Sequence, residues 1–304
     1  MRLARPLLQP LLSWVKKPIK KALPDSVVEW MIDSRCLIHR YWKGHGVFPR
    51  LIRPRTFNEK VIHRMLFDRR DLLTQMTDKA AARSYVGSRL GPQILPKLYC
   101  LTTRPEDIPF DELPDRFVVK PTHGSGWVQV VTDRSTLDRG ALMETCNGWL
   151  GRSYYEEGRV WFYKNIEPRI MVEEFIDDGS GAVPNDYKLF VFDGAVEFIQ
   201  VDVGRFIGHW RRLYTPAWEK LDVFNNQFLL AGDLPRPPHL AELLAAAETL
   251  GRGIDFVRVD FYDTREHIFF GELTMAPGGG TAAFTPKEYD YYLGSLWKLP
   301  ARWR

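Results

Sequence analysis

Three charged residues, Arg258, Asp260 and Glu272, sit in runs whose pattern otherwise reads as half-buried strand. In FVRVDFYDTREHIFFGELTMAPGGG (residues 256–280), alternation puts Val257, Val259 and Phe261 on one face and Phe256, Arg258, Asp260 and Tyr262 on the other. A polar turn, DTRE, then leads into a second run in which Ile268, Phe270, Glu272 and Thr274 share a face. If the runs pair as a hairpin, Asp260 falls near Phe270 or Glu272, with the carboxylates within roughly 5–8 Å of each other. Two carboxylates that close in apolar surroundings repel and lose hydration, so a positive group belongs between them. Arg258 is one candidate and Mg²⁺ is another. A solvated hairpin face with an Arg–Asp pair is the plain alternative.

A second set lies earlier, in FVVKPTHGSGW. Lys120 ends an apolar strand and is followed by a loop of His123, Gly124, Ser125 and Gly126. Glycines let backbone N–H groups approach phosphate oxygens, and a strand-end lysine adds a point charge for the same anion. The loop is not G-x-x-x-x-G-K-[ST], and a lysine before a glycine turn is common by itself. Two more lysines fit the same use. Lys79 opens a helix in TDKAAARSYV, and Lys188 interrupts the apolar strand NDYKLFVF, where it can also snorkel outward. Glu173 and Glu174, in MVEEFIDDG, end a strand before an acidic turn. Such a hinge can offer backbone groups to an adenine edge and a carboxylate to a ribose hydroxyl, or be an ordinary turn. Phosphate-holding cations first and metal-holding carboxylates last is the layout of a nucleotide clamped between two subdomains.

The elements that must position these groups follow from the patterning. At 304 residues, 45% hydrophobic and 13% aromatic, the chain can build a large core or two domains. A basic segment, residues 1–55, leads into helical sequence over 56–91, then a short apolar piece and a Pro- and Asp-rich linker, closing a helical part at 115. Residues 116–175 read as a small strand–loop–strand–helix–strand subdomain that would act as a lid, and 176–304 as a larger unit with the metal site. Within that unit DYKLFVFDGAVEFIQVDV is a hairpin turning at Asp193-Gly194. HLAELLAAAETLG is an amphipathic helix with a stripe of Leu240, Leu243, Leu244, Ala247 and Leu250, and Gly251 in the place of a C-cap. Helices alternating with hairpins predict an α+β fold.

Charge and cysteine usage narrow the setting. Cys36, Cys100 and Cys146 show neither zinc spacing nor a disulfide framework, which predicts a reducing compartment. No apolar run approaches the ~20 residues of a membrane span, and Pro6 and Pro10 with no small-residue cleavage site argue against a signal peptide. Residues 1–70 hold sixteen Lys/Arg against five Asp/Glu, a balance of +11, while the whole chain is +4, so the rest carries −7. The basic segment is therefore expected either to lie on an anionic membrane or hold an acidic polymer, or to be a solvated arm packed on the body. No nucleic-acid motif is present.

Taken together, DK…FVVKPTHGSG…MVEEFI…DYK…VRVDFY…GEL resembles the ATP-grasp superfamily, and more closely the TupA-like ATP-grasp family associated with teichuronopeptide and other cell-surface polysaccharide biosynthesis. The matching stretches also include TFNEKV, YKNIEPRIMVEEFI and FIQVDVGRF, and they span about residues 56–293. The resemblance implies an ATP-grasp fold of two α+β subdomains clamping ATP, and carboxylate–amine ligation through an acyl phosphate. It implies that Lys79, Lys120 and Lys188 hold phosphates under a 123–126 lid and that Glu173 and Glu174 flank the adenine. Asp260 and Glu272 would hold Mg²⁺, and Arg258 would stabilise the transferring phosphoryl group. On this basis Mg-ATP, rather than an internal salt bridge, is expected to explain the charged hairpin. Many ATP-grasp ligases end in E-x-N, whereas Glu272 is followed here by Leu273 and Thr274, whose hydroxyl is a weaker metal ligand. The N-terminal substrate domain also looks shortened. Acceptor recognition is then expected from residues 1–70, from a partner in polysaccharide biosynthesis, or from FIQVDVGRFIGHWRRLY, where Arg205, His209, Arg211 and Arg212 could grip an anionic sugar or peptide carboxylate. The expected protein is a cytoplasmic ligase, peripheral at the inner face of the membrane, taking a small-molecule amine and a carboxylate or glycan. A kinase of a sugar or lipid-linked intermediate and a non-catalytic acidic-polymer binder are the alternatives.

Overall fold

The computed structural model describes residues 23–179, 184–204, 210–225, 233–264 and 266–300. A long helix, α1 (Asp25–His45), ends where Gly46 turns left-handed at φ 71°. Helical sequence over 56–91 resolves into three helices, α2 (Phe57–Phe67), α3 (Asp71–Thr77) and α4 (Lys79–Leu90), the last opening at Lys79 as expected. The breaks are local chemistry. Thr56 and Glu59 form a reciprocal capping box that starts α2, Asp68 leaves helical geometry at its end, and Asp78 caps α4 by accepting from the Ala80 N–H.

The strands β1 (Leu98–Thr102), β2 (Phe117–Pro121), β3 (Gln129–Val131) and β4 (Ile170–Glu174) make an antiparallel sheet in the order β1-β4-β2-β3. The apolar piece before the linker is thus a strand of this sheet. Helix α5 (Arg139–Leu150) covers one face, where Leu142, Cys146 and Trp149 pack on Phe117, Val119, Ile170 and Val172. Alternation leaves Val118, Lys120, Met171 and Glu173 on the other face, in the register Val118↔Glu173 and Lys120↔Met171. A short helix, α6 (Tyr154–Gly158), follows α5.

The second sheet has the order β10-β9-β5-β6-β7, built from β5 (Asp186–Phe192), β6 (Ala195–Val203), β7 (Trp210–Tyr214), β9 (Phe256–Asp263) and β10 (Ile268–Thr274); a short ladder joins β8 (Phe224–Asn225) to β11 (Phe284–Thr285). The β5–β6 turn is at Asp193 (φ 50°) and Gly194 (φ 84°), as the Asp-Gly pair predicts. Helix α7 (Leu240–Gly251) buries Leu240, Leu243, Ala247 and Leu250 as expected, with Ala246 added and Leu244 only half-buried. Gly251 is not the C-cap. It is the last helical residue, with Arg252 at the cap, and a Cβ there would lie 2.4 Å from Val191 Cγ1, so glycine lets α7 lie close on the sheet.

The opposite face of this sheet divides. At one end Phe57 of α2 and Trp297, just after α8 (Glu288–Leu296), pack on Phe190, Phe192 and Phe256. Beyond them that face carries charge. Register places Gln200–Lys188–Asp260–Glu272 in one row across β6, β5, β9 and β10, and Arg211–Asp202–Asp186–Tyr262 in the next.

Candidate nucleotide and substrate site

The hairpin that holds the carboxylates departs from strict alternation. Phe270 lies opposite Phe261 but Glu272 lies opposite Asp260, with a bulge between them at Gly271. Cross-strand partners share a face, so the bulge returns Ile268 and Phe270 to the core side while Glu272 and Thr274 join Asp260. A Cβ at Gly271 would stand 3.1 Å from the Asp260 carbonyl oxygen, which explains the glycine.

Between the carboxylates lies Arg258. Its Nε donates to Asp260 Oδ1 at 2.7 Å, and its Nη2 to Asp260 Oδ2 at 2.6 Å and Glu272 Oε1 at 3.0 Å. An internal salt bridge therefore does separate the two carboxylates, contrary to the expectation that bound Mg-ATP alone would do so. Thr274 Oγ1 donates to the same Glu272 oxygen at 3.2 Å. Lys188 does not snorkel. It is buried, with Nζ 3.0 Å from Asp260, 3.3 Å from Asp186 and 3.8 Å from Asp202. Burial works against charge on Asp260, yet Arg258 and Lys188 outweigh it and hold the carboxyl below its ordinary range. Burial likewise opposes charge on Arg258, but Asp260 and then Glu272 raise its pKa.

The small sheet supplies the facing wall. Lys120 contacts Glu173, whose other oxygen takes Arg83 Nη1 at 2.5 Å. Arg83 is absent from the residues expected by sequence, although its i+4 spacing from Lys79 on α4 is a signal that could have found it. Lys79 donates from Nζ to the Gly124 carbonyl, so this loop presents an acceptor to that lysine. Burial pushes the Lys79 ammonium down to about 8, against the opposing pull of Glu272. His123 turns away. It is buried, with Nε2 3.0 Å from the Trp149 carbonyl of α5, and packs edge-on to Trp127, while a Cβ at Gly124 would strike that indole at 2.4 Å. It anchors the loop rather than facing a ligand. Glu174 accepts from the Lys97 N–H at 3.0 Å and lines a small cavity between the two sheets.

Two cavities meet on these residues. One, of about 340 Å³, is lined by Lys79, Arg83, Lys120, Ser125, Arg258 and Thr274, together with Tyr154, Tyr163 and, from α1, Leu37 and Arg40. The other, of about 120 Å³, lies between the sheets against Val118, Val130, Phe175, Ile176, Gly126 and Tyr262. Both share Lys79, Lys120, Glu173 and Glu272. Helix α1 braces the larger one. Arg40 donates to the Glu157 and Gly158 carbonyls at 2.6 and 2.7 Å, His45 Nε2 lies 3.0 Å from the Gly280 carbonyl, and Gly44 passes against Thr281.

Of the expected acceptor-binding residues, Arg211 is committed to Asp202, donating from Nε at 2.6 Å and Nη2 at 3.2 Å, so it closes the buried network instead of reaching for a substrate. Arg205 and His209 lie outside the described residues. Among the described residues no group of three or more His, Cys, Asp or Glu is placed to hold a metal ion, and no helix is long and apolar enough to cross a membrane.

Residues 59–298 match the TupA-like ATP-grasp family. No curated protein matches. Similar solved structures include D-alanine–D-alanine ligase from Bacillus anthracis complexed with ATP (17% identity, TM-score 0.41, covering 68% of this chain and 56% of that one). Others are the ATP-grasp ligase PsnB complexed with minimal precursor (14%, 0.37, 67% and 54%) and N5-carboxyaminoimidazole ribonucleotide synthetase from Thermus thermophilus (12%, 0.40, 68% and 47%). This chain thus spans about half the length of the structures it matches. The family match covers most of the chain and includes every residue that lines the junction of the two cavities, and the chain belongs to the TupA-like ATP-grasp family.

Proposed function

We propose that this chain is an ATP-dependent carboxylate–amine ligase that forms an amide on a uronic-acid-containing cell-surface polysaccharide or its precursor, on the cytoplasmic side of the membrane. The observation that carries the reading is that Lys79, Lys120, Glu173 and Glu272 line both of two joined cavities, one mostly apolar and between sheets, one larger and mixed, with Arg258 bonded to Glu272 on the wall of the larger. The adenine suits the apolar cavity, the phosphates the junction, and the carboxylate donor and amine the larger cavity. The polysaccharide assignment rests on the family's association with teichuronopeptide and related polymers.

The chemistry requires positioning and charge rather than a nucleophilic side chain. A substrate carboxylate oxygen attacks the γ-phosphorus, the bond to ADP breaks, and an acyl phosphate forms. The amine then attacks the acyl carbon, loses a proton, and inorganic phosphate leaves. Lys79 and Lys120 hold phosphate oxygens, and the Lys79 bond to Gly124 and the Lys120 bond to Glu173 give way as the anion arrives. Arg258 faces the charge that builds on the transferring group. The acidic set suits Mg²⁺ that arrives on the phosphates: two carboxylates and the Thr274 hydroxyl make no cage by themselves, and Mg²⁺ is ordinarily held by one or two carboxylates plus substrate phosphates. Asp260 and Glu272 would hold it, and when bound it would neutralise charge on the β- and γ-oxygens.

The test incubates purified protein with Mg-ATP, a panel of uronic acids and acidic glycan precursors, and hydroxylamine, with Asp260→Ala as control. A hydroxamate formed from one carboxylate with ADP release, and absent in the control, establishes acyl-phosphate chemistry and names the donor. ADP with a stable phosphorylated product instead makes the protein a kinase. Folded protein with neither turnover nor nucleotide binding overturns the ligase and leaves the acidic-polymer binder in front.

A further inference from the structure

Outside the site, the segment joining α1 to α2 presents large apolar side chains to solvent. Val47, Phe48 and Ile52 are 59%, 71% and 78% exposed. This is not a loose loop. The buried Glu59 carboxylate accepts from the backbone N–H groups of Arg50 at 3.1 Å, Arg55 at 2.7 Å and Thr56 at 3.2 Å, and His63 Nδ1 lies 2.8 Å from the Leu51 carbonyl. Leu51 packs inward on the main core, so Phe48 and Ile52 are held outward on either side of it. On α1 the exposed surface continues through Trp42 and Met31, which eleven residues of helix bring within about 20° of each other.

The charge around this patch is predominantly positive. From residue 34 to residue 58 the sequence contains Arg35, Arg40, Lys43, Arg50, Arg53 and Arg55 and no Asp or Glu. Arg50, Arg53, Arg55 and Lys43 are all exposed. Residues 1–24 add six Lys/Arg and no acid, while the intervening 25–33 hold Asp25, Glu29 and Asp33, of which Asp33 is buried and Glu29 pairs with Lys164 at 2.6 Å. We propose that the 47–55 segment and the exposed face of α1 seat the protein on an anionic lipid bilayer. Phe48 and Ile52 enter the headgroup–acyl boundary, and the flanking arginines pair with lipid phosphates. An acidic polymer would use the arginines but has no use for a rigidly presented Phe and Ile. A second copy of the chain would bring the same positive charge against itself, which opposes pairing. The inference does not depend on the ligase reading, because it concerns a surface that contributes nothing to the nucleotide junction. Helix α1 nevertheless lines the larger cavity through Leu37 and Arg40, so a seated protein would hold that cavity close to the membrane.

Co-sedimentation of the full chain with phosphatidylcholine vesicles, with and without phosphatidylglycerol, tests this. Binding is expected only with the anionic lipid. Phe48→Ser with Ile52→Ser is expected to weaken it roughly tenfold or more, and Arg50→Glu with Arg53→Glu by a similar factor, with the melting temperature of each variant unchanged because the side chains are exposed. Backbone hydrogen exchange over residues 42–55 should slow on anionic vesicles in the unaltered chain, a readout that needs no variant. No binding to anionic vesicles overturns the proposal. So does binding that Phe48→Ser with Ile52→Ser leaves undiminished, which would mean that electrostatic attraction alone, the kind an acidic polymer would also meet, holds the vesicles. Concentration-dependent self-association abolished by the same substitutions would make the patch a dimer interface instead.

Discussion

Lys188 and Asp260 are direct partners across β5 and β9, and their side chains meet at 3.0 Å inside the sheet. Around this one ammonium stand three carboxylates, Asp186, Asp202 and Asp260, balanced on either side by Arg211 and Arg258. The lysine therefore does structural work even if it also reaches phosphate. Lys188→Met is expected to destabilise the fold by about 3–5 kcal/mol, since it leaves buried carboxylates with too little positive charge. Urea unfolding checks it. A loss well under ~1 kcal/mol would show that the network tolerates the imbalance, and the buried-charge account would fall.

Arg258 clamps Asp260 through two nitrogens and reaches Glu272 with one of them. A lysine keeps the charge but not the planar fork. Arg258→Lys should lower kcat by roughly 10²–10³ if the guanidinium acts mainly on charge developing at the phosphoryl group. The Kd for ATP should move only several-fold. An equal loss in both, measured by steady-state kinetics and calorimetry, would make Arg258 a ground-state binding residue.

Lys79 gives a pH signature. Burial lowers its ammonium to about 8, so the free protein loses this charge as pH rises through 8. An anionic phosphate stabilises the ammonium and raises its pKa, hence nucleotide binding takes up a proton above pH 8 and affinity falls there, by at most about tenfold per pH unit. Lys79→Arg stays charged and should flatten that limb. Calorimetry in buffers of different ionisation enthalpy reads the proton directly, and no uptake between pH 8 and 9.5 in the unaltered protein would sink the assignment.

Gly44 lies where α1 passes the 278–281 loop, and a Cβ there would fall 2.3 Å from the Thr281 carbonyl oxygen, a backbone atom that cannot swing aside. Gly44→Ala is expected to cost about 1–3 kcal/mol through overpacking. Because α1 lines only the larger cavity, KM for the carboxylate substrate should rise more than KM for ATP. Thermal unfolding and the two KM values test this together, and a selective rise in KM for ATP would contradict the placement of the two ligands.

Much of the site was legible as pattern. Alternation in VRVDF places Arg258 and Asp260 together on any strand, and the Asp-Gly turn and the capping Asp78 act within a few residues of themselves. Periodicity could not foresee the Gly271 bulge, because an extra residue breaks the period and the close approach of Gly271 to the Asp260 backbone lies on another strand. Nor could it tell that Arg211 is taken by Asp202 or that His123 turns to Trp149, since those partners are set by sheet register and by the packing of α5.

The sequence alone determined the chemistry on offer: which residues are charged, which strands and helices carry them, and the family they spell out. Tertiary structure decided which charges meet. Burial turned Lys188 from a surface lysine into the centre of an ion network, and it let Arg258 satisfy two carboxylates before any ligand is considered. It also brought α1, outside the residues matched to the family, against the same cavity as Lys79 and Glu272. Such contacts depend on distances between elements far apart in the chain, and no local pattern of residue types encodes those distances.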